Sequence, residues 1–203
     1  MAELLYEGKA KQVYKTEKED EYLIHYKDDA TAGNGVKHDK FEGKGVLNNT
    51  ISCIIFDMLE EAGIKTHMIK KLNERDILVK KVDIFPLEVI IRNITTGSFC
   101  RRLGAPEGIV LDEPIFEMSY KNDEYGDPLI NDDHAVALKL VDFKIEFGKT
   151  ADGTILLADE ISPDSCRLWD VDTNQKYDKD VFRQDIGDLI ETYKAVLARM
   201  QNK

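Results

Sequence analysis

The chain has 203 residues, of which 42% are hydrophobic and 33% are charged, enough for one compact unit or two small lobes around an apolar core. Its 28 basic and 39 acidic side chains give a formal net charge of −11, which argues against nonspecific binding to nucleic acid or to an anionic membrane. No apolar run approaches the ~20 residues needed to cross a bilayer, and the sequence opens on Met1-Ala2-Glu3 rather than on a basic and then apolar signal segment, so we expect a cytoplasmic protein.

The cysteines and histidines do not form a recognisable site. Cys53, Cys100 and Cys166 are an odd number, lie far apart and include no CxxC pair, so we expect three idle thiols in a reducing compartment. The four histidines occur in unrelated contexts, and no Ser-His-Asp order is evident. The sequence therefore favours neither a zinc site nor nucleophilic catalysis.

The first third of the chain has the composition of a β-sheet. Residues 4–14 contain two strand-like stretches around Gly8-Lys9-Ala10-Lys11, and residues 22–26 form a third. Residues 28–44 are polar and contain three glycines, which predicts a long loop. Such a loop is either a lid that closes over a site or a disordered connector.

Helical periodicity follows this loop. Apolar residues at steps of three and four over residues 46–62 predict an amphipathic helix that ends at Gly63. A second helical pattern over about residues 180–200 predicts a closing helix that packs and has no chemistry.

Further strands are predicted between these helices, at residues 66–69, 77–82 and 87–94. The last of them has the continuous apolar run of a buried strand. A change in composition near Phe85-Pro86 predicts a small β-rich lobe over residues 1–84 and a larger α/β lobe over residues 85–203.

A predicted hairpin places two carboxylates together. Apolar residues alternate with charged ones in the run Val141-Asp142-Phe143-Lys144-Ile145-Glu146-Phe147. If Asp152-Gly153 forms a two-residue type I′ turn, Glu146 lies opposite Asp159. Opposed carboxylates repel, and a magnesium ion shared with a bound phosphate would compensate them. The alternative is a pair of solvated carboxylates on a surface hairpin.

Lysines supply candidate phosphate ligands. Lys9 and Lys11 follow Gly8 at positions i and i+2, on one face of a strand, where they can hold a polyphosphate or lie in an exposed turn. One of Lys80 and Lys81 has to point inward if their strand is covered.

Arginines supply two more candidates. Arg92 ends an apolar strand shortly before Gly97-Ser98, and Arg167 follows Asp164 in the segment 162–170. The planar fork of arginine suits a phosphate or a carboxylate, although each residue could equally form a surface ion pair.

Nine segments, in order and over nearly the whole chain, form a specific set. They are ELLYEGKAK, KDDATAGNG, GKGVLNN, LVKK, PLEVIIRN, TGSFCRRLG, GDPLIN, LVDFKIEFG and LADEISPDSCRLWD. Together these segments resemble the SAICAR synthetase family. The resemblance implies a ligase that uses ATP and magnesium to join L-aspartate to the carboxylate of carboxyaminoimidazole ribonucleotide (CAIR), giving SAICAR, ADP and phosphate through an acyl phosphate.

The resemblance also implies an architecture and partners. The fold is expected to be α+β, with a cleft between two lobes similar to those of protein kinases and ATP-grasp enzymes. The partners are the small-molecule substrates and a second copy of the chain in a homodimer, with no nucleic acid and no membrane. A small-molecule kinase with the same cleft is the alternative; it would need no aspartate.

Roles at matching positions follow from the resemblance alone. ATP contacts are expected from lysines, magnesium contacts from two carboxylates, and CAIR contacts from a mixed polar set, with further residues beside the reacting groups. These are Lys9, Lys11 and Lys80 for ATP; Glu146 and Asp159 for magnesium; Arg92, Ser98, Asp164 and Arg167 for CAIR and its phosphate; and Asp142, Lys144 and Lys11 for catalysis.

One departure from the family pattern stands out. Family members have a long helical segment between the parts that correspond here to residues 134–138 and 139–142, and this chain joins those parts directly. The junction puts in doubt the packing on one side of the larger lobe.

Overall fold

The computed structural model describes residues 3–32, 37–130, 146–170, 173 and 175–201, and within them a mixed α+β fold with small sheets. The chain forms two compact units, Met1–Ile84 with Phe147–Lys203, and Phe85–Glu146. No helix in these ranges is long and apolar enough to span a membrane. In chain order the elements are β1 (Leu4–Glu7), β2 (Lys11–Lys15), β3 (Glu21–Tyr26), β4 (Asp29–Ala32), β5 (Lys37–Lys40), α1 (Lys44–Glu61), β6 (Met68–Lys71), β7 (Asp76–Lys80), β8 (Asp83–Ile84), β9 (Leu87–Ile94), α2 (Gly97–Leu103), β10 (Val110–Tyr120), a 3₁₀ turn (Asp123–Tyr125), β11 (Leu129–Ile130), β12 (Glu146–Lys149), β13 (Ile155–Ala158), α3 (Asp180–Arg183) and α4 (Leu189–Gln201).

The first unit is built on an antiparallel sheet in the order β1-β2-β3-β7-β6. Strand alternation directs one set of side chains into a buried cluster that includes Ile24, Tyr26, Ile77 and Val79. The predictions for the first three strands and for the strand at β7 are confirmed. The strand predicted at residues 66–69 begins two residues later, as β6.

Helix α1 confirms the periodic pattern and begins at Lys44 rather than at residue 46. Its first turn passes close to the end of β3, because a Cβ added at Gly45 would lie 2.4 Å from the Tyr26 carbonyl oxygen. The Gly45 N–H also donates to Asp28 Oδ1 at 2.9 Å. Glycine is therefore required here by close backbone approach.

The prediction of a long loop over residues 28–44 is wrong for most of that range. Strands β4 and β5 pair in antiparallel register, with Asp29 opposite Lys40 and Ala32 opposite Lys37. Sequence analysis did not predict this hairpin, because β5 has the sequence Lys-His-Asp-Lys and shows no alternation of apolar and polar residues. Ala30 of β4 faces inward and is fully buried in a cluster with Leu47.

The hairpin between β12 and β13 has a different turn from the predicted one. Gly153 N–H donates to the Thr150 carbonyl and Thr150 N–H donates to the Thr154 carbonyl, so the loop contains three residues instead of two. Gly153 takes the left-handed φ of +90° that ends such a loop. The register shifts by one residue, and the predicted alignment of Glu146 opposite Asp159 is wrong. A shift of one residue turns side chains to the other face, so this hairpin does not place the two carboxylates opposite each other.

The closing helix is interrupted. It consists of α3 and α4, separated by Asp185 in a left-handed conformation (φ +55°). Asp188 caps α4, since its Oδ1 accepts the Glu191 N–H at 2.9 Å. The apolar stripe spans both helices, which explains why periodicity alone predicted one.

In the second unit, β9, β10 and β11 form an antiparallel sheet in the order β11-β10-β9. The bounds of β9 are those predicted from its apolar run. Buried Val89 and Met118 form a small cluster on this sheet, with Ile130 packed against it.

Candidate active site

Lys11 lies at the centre of a charged cluster in the first unit. Its ammonium group pairs with Asp159, 148 residues away in sequence, and lies 3.8 Å from Glu160 Oε1. The Tyr26 ring, opposite Lys11 on the neighbouring strand, has its centroid 6.0 Å from the Lys11 nitrogen. The partly buried Lys11 ammonium therefore neutralises two adjacent carboxylates.

The electrostatics of this cluster keep Lys11 protonated. Burial opposes the charge, but Asp159 and Glu160 raise the pKa of Lys11 above its ordinary value. Burial in turn raises the pKa of Glu160, against the opposing effect of Lys11. Lys11 can therefore supply positive charge and hydrogen-bond donors, and it cannot act as a base.

Asp159 occupies a constrained position. It directly follows the last residue of β13 and has φ of +61°, a left-handed conformation that is uncommon for a residue with a side chain. Glu160 is held behind it, because Ser162 Oγ donates to Glu160 Oε2 at 3.4 Å and Ser165 Oγ donates to its backbone carbonyl.

Glu146, the other expected magnesium ligand, is buried and begins β12. Its carboxylate accepts a hydrogen bond from the ammonium of Lys121, which follows β10. The two expected magnesium carboxylates thus share a feature, since each is paired with a lysine ammonium.

The donor chemistry fits magnesium. Both groups offer hard carboxylate oxygens, and magnesium typically takes one or two carboxylates and fills its remaining positions with water and substrate phosphates. In the ranges that the structure describes, no group of three His, Cys, Asp or Glu side chains could hold a metal.

The remaining lysines expected to contact ATP are exposed. Lys9 lies in the turn between β1 and β2, and Lys80 is the last residue of β7. Lys81 is exposed as well, with its ammonium 5.7 Å from the centroid of the Tyr22 ring. The expectation that one of this lysine pair points inward is wrong. Lys80 alternates with the inward-facing Ile77 and Val79, and Lys81 lies beyond the end of the strand, where it is exposed.

In the second unit the structure brings Arg92 and Ser98 together. The Arg92 side chain is 5% exposed. Its guanidinium donates to Glu117 Oε2 at 2.6 Å and to Ser98 Oγ at 3.2 Å, and it lies over the Phe99 ring. Arg102 donates to the other Glu117 oxygen at 2.6 Å. Burial opposes ionisation of Glu117, but the two arginines lower its pKa. Glu117 thus fixes the guanidinium at the end of an apolar strand.

Asp164 lies in a buried ion network of the first unit. Its Oδ2 is 2.6 Å from the Lys44 ammonium and 3.7 Å from that of Lys179, and its Oδ1 accepts a hydrogen bond from the Tyr193 hydroxyl. Burial would raise the pKa of Asp164, but Lys44 and Lys179 hold it well below its ordinary value. The network connects the start of α1, the segment after β13 and α4.

Arg167 makes a separate contact. Its guanidinium donates to Asp180 Oδ2 at 3.1 Å, and Arg183 donates to the other oxygen of the same carboxylate at 2.6 Å. About a third of the Arg167 side chain is exposed, which leaves donors accessible. Asp142 and Lys144, expected beside the reacting groups, lie outside the described residues.

Sequence analysis missed several residues of these clusters, among them Glu160, Lys44, Lys179, Tyr193, Lys121 and Glu117. One of them carried a usable signal. Lys44 opens a helix, where a positive charge opposes the helix dipole, so its presence there indicates a carboxylate partner. The partners of the others are distant in sequence.

The sequence matches the family model described as SAICAR synthetase, over residues 4–140 and 135–200. The phosphoribosylaminoimidazole-succinocarboxamide synthase of Finegoldia magna is 59% identical over 98% of this chain and 99% of its own length. That of Fusobacterium nucleatum is 53% identical over 98% of this chain and 97% of its own length.

Solved structures agree. A SAICAR synthetase in complex with ADP has 47% identity and a TM-score of 0.90, covering 98% of this chain and 97% of that one. The phosphoribosylaminoimidazole-succinocarboxamide synthase of Ehrlichia chaffeensis has 40% identity and a TM-score of 0.92, covering 98% of each chain.

The comparisons also show a difference in length from a relative. The alignment with the F. magna relative extends over 230 positions, more than the 203 residues of this chain, so the relative has residues without a counterpart here. The two parts of the family match meet at residues 135–140, which include the junction found in the sequence. The match extends to both sides of this junction, and the chain belongs to the SAICAR synthetase family.

Proposed function

We propose that this chain is an ATP-dependent carbon-nitrogen ligase of purine biosynthesis. It joins L-aspartate to the carboxylate of CAIR and produces SAICAR, ADP and phosphate. A carboxylate is a poor electrophile toward an amine, so the reaction requires activation. Transfer of the terminal phosphoryl group of ATP to the CAIR carboxylate would give an acyl phosphate, which the aspartate amine then attacks.

The observation that carries this proposal is the contact of Lys11 with Asp159. The two residues are 148 positions apart in sequence and meet as a partly buried pair. Phosphoryl transfer requires positive charge beside the transferring oxygens and a carboxylate that can hold a cation. This pair provides both groups in one place.

Lys11 would act as a fixed cation. Its neighbours keep it protonated, so it can donate hydrogen bonds to phosphate oxygens as negative charge develops on them. Lys9 and Lys80 are proposed as further ATP contacts, and their exposure leaves them accessible to a nucleotide. No covalent bond between the chain and a substrate is needed.

Asp159 and Glu146 would hold magnesium. When bound, the ion would neutralise phosphate charge and orient the phosphoryl group. Lys11 and Lys121, which pair with these carboxylates here, would then be released toward the phosphate oxygens.

Arg92 and Ser98 are proposed to bind the ribonucleotide phosphate. Glu117 and the Phe99 ring hold the guanidinium in one orientation, which favours two-point recognition of a phosphate. Asp164 and Arg167 are proposed for the same substrate. Asp142 and Lys144 remain predictions for the reacting groups.

An omission experiment tests the function. ADP release is measured with ATP, magnesium, CAIR and L-aspartate, and then with each component left out in turn. Release that requires all four establishes the ligase. Release without aspartate would support the small-molecule kinase, which the family match does not favour, and no release with all four would contradict the proposal.

We extend the proposal to architecture and assembly. The nucleotide would lie between a small lobe, residues 1–84, and a larger lobe, residues 85–203, in a cleft similar to those of protein kinases and ATP-grasp enzymes. The chain would act as a homodimer in the cytoplasm. Light scattering in solution tests the homodimer.

A further inference from the structure

A polar cavity lies on a face of the first sheet that the proposed function does not use. Glu7, Gln12, His25 and Asp76 are successive cross-strand partners on β1, β2, β3 and β7, so their side chains form one row across the sheet. Side chains alternate along a strand, so this row lies on the face opposite Lys11, the residue before Gln12. The first three residues of the row line a cavity of about 380 Å³.

Every residue that lines this cavity is polar or charged. Besides the row, the walls come from the segment after β3, the end of β5 and the turn before β7, which contribute Lys27, Lys40 and Arg75 among others. An apolar ligand would leave water here without gaining apolar contacts. The cavity therefore suits a small ligand that carries its own charges.

The charges of the lining balance. Beside His25 it contains three basic and three acidic side chains: Lys27, Lys40 and Arg75, and Glu7, Asp28 and Asp29. One pair is closed within the protein, because Arg75 donates to both oxygens of Asp28, at 2.8 and 2.9 Å. Equal numbers of both signs do not attract a simple anion or a simple cation, and they favour a ligand with both charges.

The acidic side of the cavity has too few cations. The Lys27 ammonium serves two carboxylates, at 2.7 Å from Glu7 Oε1 and 3.7 Å from Asp29 Oδ2, and the Glu7 side chain is 44% exposed. His25 Nδ1 hydrogen-bonds Asp76 Oδ1 at 2.6 Å. A carboxylate only accepts, so Nδ1 carries the proton and Nε2 is an acceptor in the neutral ring. Glu7 and His25 thus offer acceptors to a ligand ammonium group.

Lys40 supplies the opposite charge. It is the last residue of β5 and lies opposite Asp29 in the register of that hairpin. Among the residues that the structure describes, none forms a hydrogen bond or an ion pair with its ammonium group. Lys40 can therefore donate to a ligand carboxylate without breaking a contact within the protein.

We propose that this cavity binds a free α-amino acid, with the ammonium group of the ligand at Glu7 and His25 and its carboxylate at Lys40. A single carbon separates the two charges of such a ligand, and its side chain would extend into the polar remainder of the cavity. The site is independent of the proposed ligase chemistry, because none of its residues is assigned to ATP, magnesium or CAIR.

NMR titration of the full chain with L-glutamine tests the site; L-aspartate is avoided because it is the proposed substrate. The ring signals of the four histidines are followed, and those of His25 and His67 are assigned by their loss in His25→Gln and His67→Gln. We expect the His25 signal to shift until it saturates. The signal of His67, which is buried and does not line the cavity, should stay unchanged.

Two smaller probes divide the charge pattern. Acetate carries only the carboxylate and methylammonium only the cation. Each should bind about tenfold or more weakly than L-glutamine, because each lacks one charged hydrogen-bonding group.

Three variants locate the ligand. Glu7→Gln and Lys40→Gln each remove one charge of the cavity and should each weaken L-glutamine binding by about tenfold. Lys18→Gln is the matched control, since Lys18 is an exposed lysine that pairs with Glu21 outside the cavity, and it should bind as the wild type does.

Several results would overturn the proposal. A His25 signal that does not saturate at tens of millimolar L-glutamine would show that there is no site. Equal affinity for acetate and L-glutamine would indicate an anion site only, and equal affinity for methylammonium a cation site only. Unchanged affinity in both Glu7→Gln and Lys40→Gln would place the ligand elsewhere. If a variant does not fold, the comparison of the three probes on the wild type still decides.

Discussion

Replacing Lys44 with methionine should expose the energetic cost of an uncompensated buried charge. The Lys44 side chain is fully buried, and the Asp164 side chain is 3% exposed. Methionine has a similar length and no charge, so Lys44→Met removes the cation while filling most of its space. The Asp164 carboxylate then remains buried with Lys179 and Tyr193 as its partners.

The magnitude follows from the geometry. Unit charges 2.6 Å apart attract by about 6 kcal/mol at an effective dielectric of 20. Part of this attraction is retained, because the Lys179 ammonium lies 3.7 Å from the same oxygen. Breaking a buried pair on one side typically costs 3–5 kcal/mol. We therefore expect Lys44→Met to lower the free energy of unfolding by about 3 kcal/mol, the lower end of that range.

Urea unfolding at pH 7 measures this loss, followed by the fluorescence of the single tryptophan, Trp169. Asp164→Asn and the double variant complete a thermodynamic cycle. The double variant should lose less than the sum of the two single losses, because it leaves no unpaired buried charge. A loss within the ~0.5 kcal/mol typical of surface substitutions would refute the reasoning.

The same pair predicts a pH dependence. The pKa of Asp164 is lowered in the folded chain from its ordinary value of 3.8, mainly by Lys44 and Lys179 acting against burial. A lowered folded pKa stabilises the chain above the ordinary pKa, and that stability is lost as pH falls below it. The wild type should therefore lose stability more steeply below about pH 4 than Lys44→Met does. Equal slopes in urea titrations across this range would contradict the assignment.

Three further predictions follow. Asp159→Asn should reduce aspartate-dependent ADP release by orders of magnitude with little change in Tm, because the pair is partly exposed and Lys11 keeps Glu160 as a partner; near-normal turnover would oppose this role. Glu117→Gln should raise the KM for CAIR by about tenfold with a smaller effect on kcat, because it weakens the charge-assisted hydrogen bond that orients Arg92. An unchanged KM would argue against a ribonucleotide site at Arg92. Gly45→Ala should lower stability by about 1–3 kcal/mol in urea unfolding, because its Cβ would lie 2.4 Å from a backbone oxygen, and a stable variant would refute the close approach.

The sequence determined the elements whose patterns are local. Strand β9 was predicted with its observed bounds because a continuous apolar run needs no distant partner to be recognised. Helix α1 was predicted from steps of three and four, and only its first two residues were missed. The nine family segments likewise indicated the activity, because their residue identities resemble those of the family over nearly the whole chain.

Local sequence patterns did not determine the turn geometry. Asp152-Gly153 is compatible with either a two-residue or a three-residue loop, and the hydrogen bonds of Thr150 select the longer one. The closing helix is interrupted at Asp185, which has a left-handed conformation, and Asp188 caps the helix that follows. The apolar stripe nevertheless continues across the interruption. Local residue preferences are nearly balanced between the shorter and the longer loop, and between one closing helix and two. Packing in the folded chain selects between them.

Contacts between distant residues were decided by the tertiary structure alone. Lys44 and Asp164 are 120 residues apart, and no local pattern states that they meet. Sequence fixes which charges and donors a chain contains, whereas burial decides their partners, because the cost of an unpaired polar group becomes large only where water is excluded.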